Sequence, residues 1–169
     1  MSLKGKYVIM GVSGCGKSSV GVALAEKLDA RFVDGDDLHP QSNVDKMSRG
    51  EPLNDDDRRP WLAKVGQCLA GERPPVFLGC SALKRMYRDI IRTEAGQDIG
   101  FLHLSGSREV LLDRMKNRPG HFMPVSLLDS QLATLEPPHA DELSVTVDID
   151  QPIADIVEAL ASRIVGGVE

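Results

Sequence analysis

The chain alternates short apolar runs with longer stretches in which apolar residues recur every three to four positions. The short runs read as strands: Tyr7–Met10, Arg31–Val33, Val76–Cys80, Phe101–Leu104 and Val145–Ile149. The longer stretches read as helices. One begins at Lys17–Ser18 and runs to Leu28, with Val20, Ala23, Leu24 and Leu28 on one face. Another follows Asn54-Asp55-Asp56-Asp57, whose acids suit a helix N-terminus, and carries Trp61, Val65 and Leu69 inward. Further helices are expected at Lys84–Glu94, Arg108–Asn117, Val125–Leu135 and Ile153–Val165. Strands alternating with helices predict an α/β fold with a mainly parallel sheet. Two segments break the rhythm. Gly35–Leu53, rich in Gly, Pro, Asp and Asn, reads as a loop-and-helix excursion, and Arg118–Pro124 as a mobile loop between two helices. Both fall where a ligand could be covered. There is no internal repeat or long linker, so residues 1–169 read as one domain.

Composition narrows the partners. With 41% hydrophobic and 27% charged residues, the balance is that of an ordinary soluble globular protein. A formal net charge of -5 repels nucleic acid and anionic membranes, although local basic clusters can still hold a small anion. Cys15, Cys68 and Cys80 are widely spaced and form no CxxC pair, which fits a reducing cytoplasm. Near the N-terminus the longest apolar run, Tyr7–Met10, is too short for a signal-peptide core or a membrane span.

The chemistry begins at Gly11-Val12-Ser13-Gly14-Cys15-Gly16-Lys17-Ser18, a full match to GxxxxGK[ST] placed between a strand and a helix. Glycines let consecutive N–H groups face one concave nest, and the following helix start adds positive potential for phosphate. Lys17 can neutralise β/γ-phosphate oxygens, and the Ser18 hydroxyl can join a magnesium shell. These features predict ATP and Mg2+ as cofactors. No Asn-Lys-x-Asp guanine-reading motif occurs, and the small size favours a small-molecule kinase over a motor or a GTPase.

An acceptor side is also legible. Asp34-Gly35-Asp36 follows the second strand, at the sheet edge where open α/β folds bind ligands. Phosphoryl transfer needs one acid for the metal and one for the acceptor's proton. Asp34 is assigned to magnesium and Asp36 to the acceptor hydroxyl; a solvated acidic turn is the competing reading. Lys84, Arg88 and Arg92 share a helical face, for which solvated basic residues are the default. Arg114 and Arg118 are spaced to set one guanidinium on a base and the other on phosphates, although two surface arginines fit the spacing equally well.

The chain resembles the small P-loop gluconokinases, relatives of shikimate and adenylate kinases. The resemblance spans Tyr7 to about Pro152. Beyond the phosphate motif it rests on Asp34-Gly35-Asp36-Asp37-Leu38-His39-Pro40, Lys46-Met47, and the run Gly50 to Arg58 with Pro60-Trp61-Leu62. It continues through Cys80-Ser81-Ala82-Leu83-Lys84, Tyr87-Arg88-Asp89, Gly120-His121-Phe122 and Val147 to Pro152. It implies a five-stranded parallel sheet flanked by helices, a substrate-binding excursion over 35–62 and a lid over 118–136. It also implies ATP-dependent phosphorylation of D-gluconate and a homodimer. By the same analogy Lys17, Asp36 and Arg118 carry catalysis, Arg114 packs on adenine, and Asp150-Gln151-Pro152 lies beside the base. Gluconate's carboxylate calls for a cation, for which Arg49, Lys84 and Arg88 are candidates. Its hydroxyls call for fixed partners, which Asp36, His39 and Gln131 could provide. Cys15 departs from the family, where Ser is common, but backbone donation should survive it. A related kinase with another acceptor, such as shikimate or a nucleoside monophosphate, stays open, as does a non-catalytic nucleotide-binding module.

Overall fold

In the computed structural model, residues 3–117 and 125–166 are described. Five parallel strands form one sheet in the order β2-β3-β1-β4-β5. They are β1 (Lys6–Met10), β2 (Arg31–Asp34), β3 (Val76–Gly79), β4 (Gly100–Ser105) and β5 (Ser144–Asp148). The helices between them are α1 (Lys17–Lys27), α2 (Gln41–Ser48), α3 (Asp55–Gly71), α4 (Arg85–Ala95), α5 (Arg108–Lys116) and α6 (Val125–Thr134), and α7 (Ile153–Val165) follows β5. Each expected strand and helix is present, with bounds differing by a residue or two. The excursion is more ordered than its composition suggests: Gly35–Leu38 is a 3-10 turn, and α2 follows it.

The central strands are buried on both faces, which explains why β1, β3 and most of β4 read as continuous apolar runs. Even Lys6 is buried; its ammonium donates to the carbonyls of Leu69 at 2.5 Å and Ala70 at 3.4 Å, at the negative end of α3. At its other end α3 starts in a complete capping box. The Asn54 side chain accepts from the Asp57 N–H at 2.8 Å, and the Asp57 carboxylate accepts from the Asn54 N–H at 2.9 Å. Gly66 lets α3 and α4 approach closely, since a Cβ there would lie 2.5 Å from the Glu94 Cβ. Trp61, Leu62, Val65 and Leu69 seal this helix pair against the sheet. Among the described residues no helix is long and apolar enough to cross a membrane.

β1 lies between β3 and β4, so the connection from β1 to β2 runs one way along the sheet and the connection from β3 to β4 runs back across β1 the other way. Such a reversal opens a crevice beyond the carboxyl ends of the strands. The loop after β1 lies in that crevice, with the turn after β2 and the segment after β3 beside it.

Candidate active site

The chain leaves β1 at Met10 and enters α1 at Lys17. Gly16, the residue before the helix, has φ +93°, a conformation that side-chain-bearing residues rarely adopt. The Lys17 ammonium folds back over the loop and donates to the carbonyls of Gly11 at 3.0 Å and Val12 at 3.2 Å. The Gly11 N–H donates to the Ser81 carbonyl at 3.2 Å, tying the loop to the segment after β3. Cys15 turns its thiol into the core, where it is buried and faces Gly11. Only its backbone is available to the nest.

The two carboxylates are built as one unit. Asp34 Oδ1 accepts from the Asp36 N–H at 3.0 Å and so caps the 3-10 turn, while Oδ2 faces the Ser18 hydroxyl at 3.4 Å. Gly35 is required between them, because a Cβ would lie 2.2 Å from the Gly79 carbonyl oxygen. Asp34 therefore sets the position of Asp36 as well as facing Ser18, so the two assigned roles are coupled. Asp36 is exposed as a residue, yet its carboxyl is packed closely enough for desolvation to raise its pKa. Lys17 opposes that rise, and Asp34 and Asp37 add to it. Greater basicity is the direction a proton acceptor needs. Ser18 and Asp34 suit magnesium, a hard cation that one or two protein oxygens hold together with substrate phosphates. Among the described residues no group of three or more His, Cys, Asp or Glu could cage a metal alone.

Behind Asp36 the excursion folds into a pocket wall. Trp61 reaches from α3, donates its indole N–H to the Gly35 carbonyl at 2.8 Å, and stacks on His39 with ring centroids 3.9 Å apart. Buried Asn43 places its amide group between His39 Nδ1 at 3.2 Å and the Asp57 carbonyl at 2.9 Å. Because that carbonyl can only accept, the Asn43 nitrogen is a donor, and His39 Nδ1 accepts its other hydrogen. His39 is thus the Nε2–H tautomer, with Nε2 left as a donor. Burial first, then the charge of Arg58, lowers its pKa to about 4, so the ring is neutral.

Arg58 is the residue that the sequence reading missed. It is only 8% exposed, and its guanidinium donates to the Tyr87 hydroxyl at 2.8 Å. No carboxylate among the described residues pairs with it, although Asp55 and Asp57 lie close enough to feel its charge. The Tyr87 hydroxyl donates onward to Asp55, which also accepts from Lys84 at 3.1 Å. Burial pushes the Cys80 thiol up to about 12, and Asp36, Lys17 and Arg58 all act on it electrostatically. All three charges are therefore felt at the residue that follows β3. A signal for Arg58 was present: it lies three residues before Trp61 and seven before Val65, on the apolar stripe of α3.

The three cations expected to meet a substrate carboxylate fare differently. Arg49 is 60% exposed and pairs with Glu51 at 2.8 Å. Lys84 reaches the pocket rim but is held by Asp55. Arg88 is excluded: its side chain is 0% exposed, Nε and Nη2 donate to Glu142 at 2.7 and 3.1 Å, and Nη1 donates to the Ala82 carbonyl at 2.8 Å. Nor is the face it shares with Arg92 a solvated one, since Arg92 also binds Glu142 and covers the Phe101 ring. Gln131, expected near substrate hydroxyls, instead accepts from the Ser13 N–H of the phosphate loop at 2.7 Å.

On the far side of the loop, Glu109, Val110, Asp113, Arg114, Asp150 and Gln151 line a cleft of about 580 Å³. Arg114 donates to the Ile149 carbonyl and, at 3.5 Å, to the Gln151 carbonyl, so the guanidinium and the loop after β5 form one surface. Pro152 ends that loop at the start of α7. Arg118 lies outside the described residues, as do Gly120-His121-Phe122.

Phosphoryl transfer to a small acceptor is the chemistry this fold and this grouping of charges serve, and the protein is a P-loop phosphotransferase. The family model of shikimate kinase matches residues 13–160. The chain is 47% identical to the thermosensitive gluconokinase of Escherichia coli (strain K12), over 90% of this chain and 83% of that one. It is also 47% identical to the gluconokinase of Gluconobacter oxydans (strain 621H), over 95% and 92% of the two chains. A crystal structure of a gluconokinase from Sinorhizobium meliloti 1021 shares 52% identity and a TM-score of 0.88, covering 96% of this chain and 92% of that one. The chain belongs to the gluconokinase family, within the wider shikimate kinase family.

Proposed function

We propose that the protein transfers the γ-phosphoryl group of ATP to the 6-hydroxyl of D-gluconate, giving 6-phospho-D-gluconate and ADP. The observation that carries this reading is Arg58: a buried guanidinium with no carboxylate partner among the described residues, close enough to act electrostatically on both His39 and Cys80. A buried charge without a counterion is costly, and a ligand carboxylate relieves that cost. Gluconate offers that carboxylate at one end and the reacting hydroxyl at the other. Arg58 holds the carboxylate, with Lys84 at the rim. His39 donates from Nε2 to a substrate hydroxyl oxygen.

The adenine base lies in the cleft beside Arg114, Asp150, Gln151 and Pro152, and the triphosphate in the nest from Gly11 to Ser18. Lys17 moves from the loop carbonyls to the phosphates. Asp36 takes the acceptor proton as the hydroxyl oxygen attacks the γ-phosphorus, and the bond from that phosphorus to the β,γ-bridging oxygen breaks, releasing ADP. Ser18 and, through water, Asp34 would hold magnesium, which would supply neutralisation of phosphate charge. Arg118, spaced four residues after Arg114, adds a cation from the lid.

A coupled ADP-release assay tests the reading with gluconate, shikimate, AMP and no acceptor. Turnover should require gluconate and magnesium, and 31P NMR should show a phosphomonoester on a primary carbon. ATP consumption independent of acceptor, or faster with shikimate than with gluconate, would overturn it.

A further inference from the structure

The contact between Gln131 and Ser13 links residues 118 positions apart and engages a backbone amide of the phosphate loop itself. Because Ser13 N–H can only donate, the carboxamide atom facing it must be the oxygen. The same peptide unit is held at its other end: the Val12 carbonyl accepts from Lys17 at 3.2 Å. In a trans peptide these two groups point in opposite directions, so Lys17 and Gln131 grip the Val12–Ser13 plane from opposite sides. When phosphate draws the Lys17 ammonium away, Gln131 holds the plane at its N–H, and at the carbonyl end only the longer bond from the Cys15 N–H, at 3.3 Å, remains.

The helix that bears Gln131 is itself fixed on either side of it. Asp129 accepts from Arg108 at 2.6 and 3.2 Å, and Leu127 and Leu128 are buried. Beyond the helix, the Glu136 N–H donates to the Leu83 carbonyl at 2.7 Å, and its carboxylate accepts from the Arg85 N–H at 3.0 Å. Gln131 is therefore mounted on an element braced against both α5 and the segment after β3. Its amide nitrogen has no partner among the described residues, so the Ser13 bond alone sets the side chain's orientation.

We infer that Gln131 is a positioning residue for phosphoryl transfer: it locks the Val12–Ser13 peptide so that the nest keeps its shape once Lys17 turns to the phosphates. This rests on the phosphotransfer reading above and changes the role expected for Gln131 from acceptor recognition to control of the phosphate loop. An amide is suited to the task because a carboxylate there would accept the same hydrogen bond but repel the triphosphate.

The test uses Gln131→Ala and Gln131→Glu in the full chain. One net hydrogen bond is worth about 0.5–1.5 kcal/mol, so Gln131→Ala should lower kcat about 2–10-fold and leave the gluconate KM within about twofold. Without nucleotide, hydrogen exchange at the Ser13 amide should speed up by a similar factor. Gln131→Glu should keep the Ser13 amide protected and the gluconate KM unchanged, yet raise the ATP KM. An increase confined to the gluconate KM would make Gln131 an acceptor ligand and overturn the inference. Lower thermal stability with kcat and Ser13 exchange unchanged would make the contact merely structural, which also overturns it. Amide exchange is read on ligand-free protein, so its outcome does not depend on the acceptor being gluconate.

Discussion

Two arginine–histidine pairs, one with its arginine on α3 and one with its arginine on α4, are completed in opposite ways. In the pocket, Arg58 faces His39; in the brace behind α4, Arg88 faces His103 on β4. In both, burial is the larger cause and the arginine the smaller, and each lowers the histidine pKa to about 4. The pocket pair has a histidine whose Nδ1 is held by Asn43, and an arginine with no carboxylate partner among the described residues. The brace pair has an arginine bound bidentately by Glu142, and a histidine whose buried Nδ1 has no partner among the described residues. Where the cation is matched inside the chain, its role is to hold the segment before β5 against α4. Where it is unmatched, the proposed role is to meet the carboxylate of a substrate.

The sharpest way to break this contrast is to remove each cation in turn. Arg88→Met would leave Glu142 buried beside Arg92 alone, and breaking such a pair typically destabilises by about 3–5 kcal/mol. Chemical denaturation should show that loss, while the gluconate KM of the folded fraction stays unchanged. Replacing both members, as Arg88→Met with Glu142→Leu, should recover most of the stability. If the single variant keeps its stability but loses gluconate affinity, the two regions have been assigned the wrong way round.

Acid titration examines both pairs together. In the folded state each histidine stays neutral down to about pH 4, whereas unfolded histidines protonate near 6.5. The unfolded state therefore binds more protons throughout that window, so stability is full above pH 6.5 and falls as pH drops toward 4. Glu142 extends the loss at lower pH. Its burial favours the neutral acid, but hydrogen bonds from Arg88, the His139 N–H and Arg92 outweigh that and hold its pKa at about 2, below the ordinary 4.5. Denaturation midpoints that stay flat from pH 6.5 to 4.5 would refute neutral histidines at both sites.

A smaller effect is expected from Arg58→Met. Losing a charge-assisted hydrogen bond of about 1.5–3 kcal/mol should raise the gluconate KM about 10–100-fold. ATP binding should barely change, and stability should hold or rise because an unpaired buried charge is gone. A normal gluconate KM would place the carboxylate elsewhere. Least severe should be Asn43→Ala, which frees His39 to change tautomer. A gluconate KM raised about fivefold, consistent with one neutral hydrogen bond, would support the Nε2–H donor; no change would remove His39 from substrate contact.

The elements themselves were legible in the sequence because they follow from short-range physics. Buried parallel strands need unbroken apolar runs, the Asn54–Asp57 turn carries its own cap, and the phosphate loop is a local backbone structure dictated by closely spaced glycines. The roles of the charged side chains were less accessible. Arg58 sits on the apolar stripe with Trp61, Leu62 and Val65, and Arg88 on the one with Ile91 and Ala95, so helical periodicity alone marks both as inward-facing. Whether an inward arginine is a ligand site or a brace depends on which carboxylate the rest of the chain brings to it. For Arg88 that carboxylate is Glu142, 54 residues away and delivered by the packing of the segment before β5 against α4. Gln131 is the same case across a longer separation. Local propensity determined the framework and the phosphate nest, whereas long-range packing decided which charges were neutralised by another part of the chain and which found no counterion among the described residues.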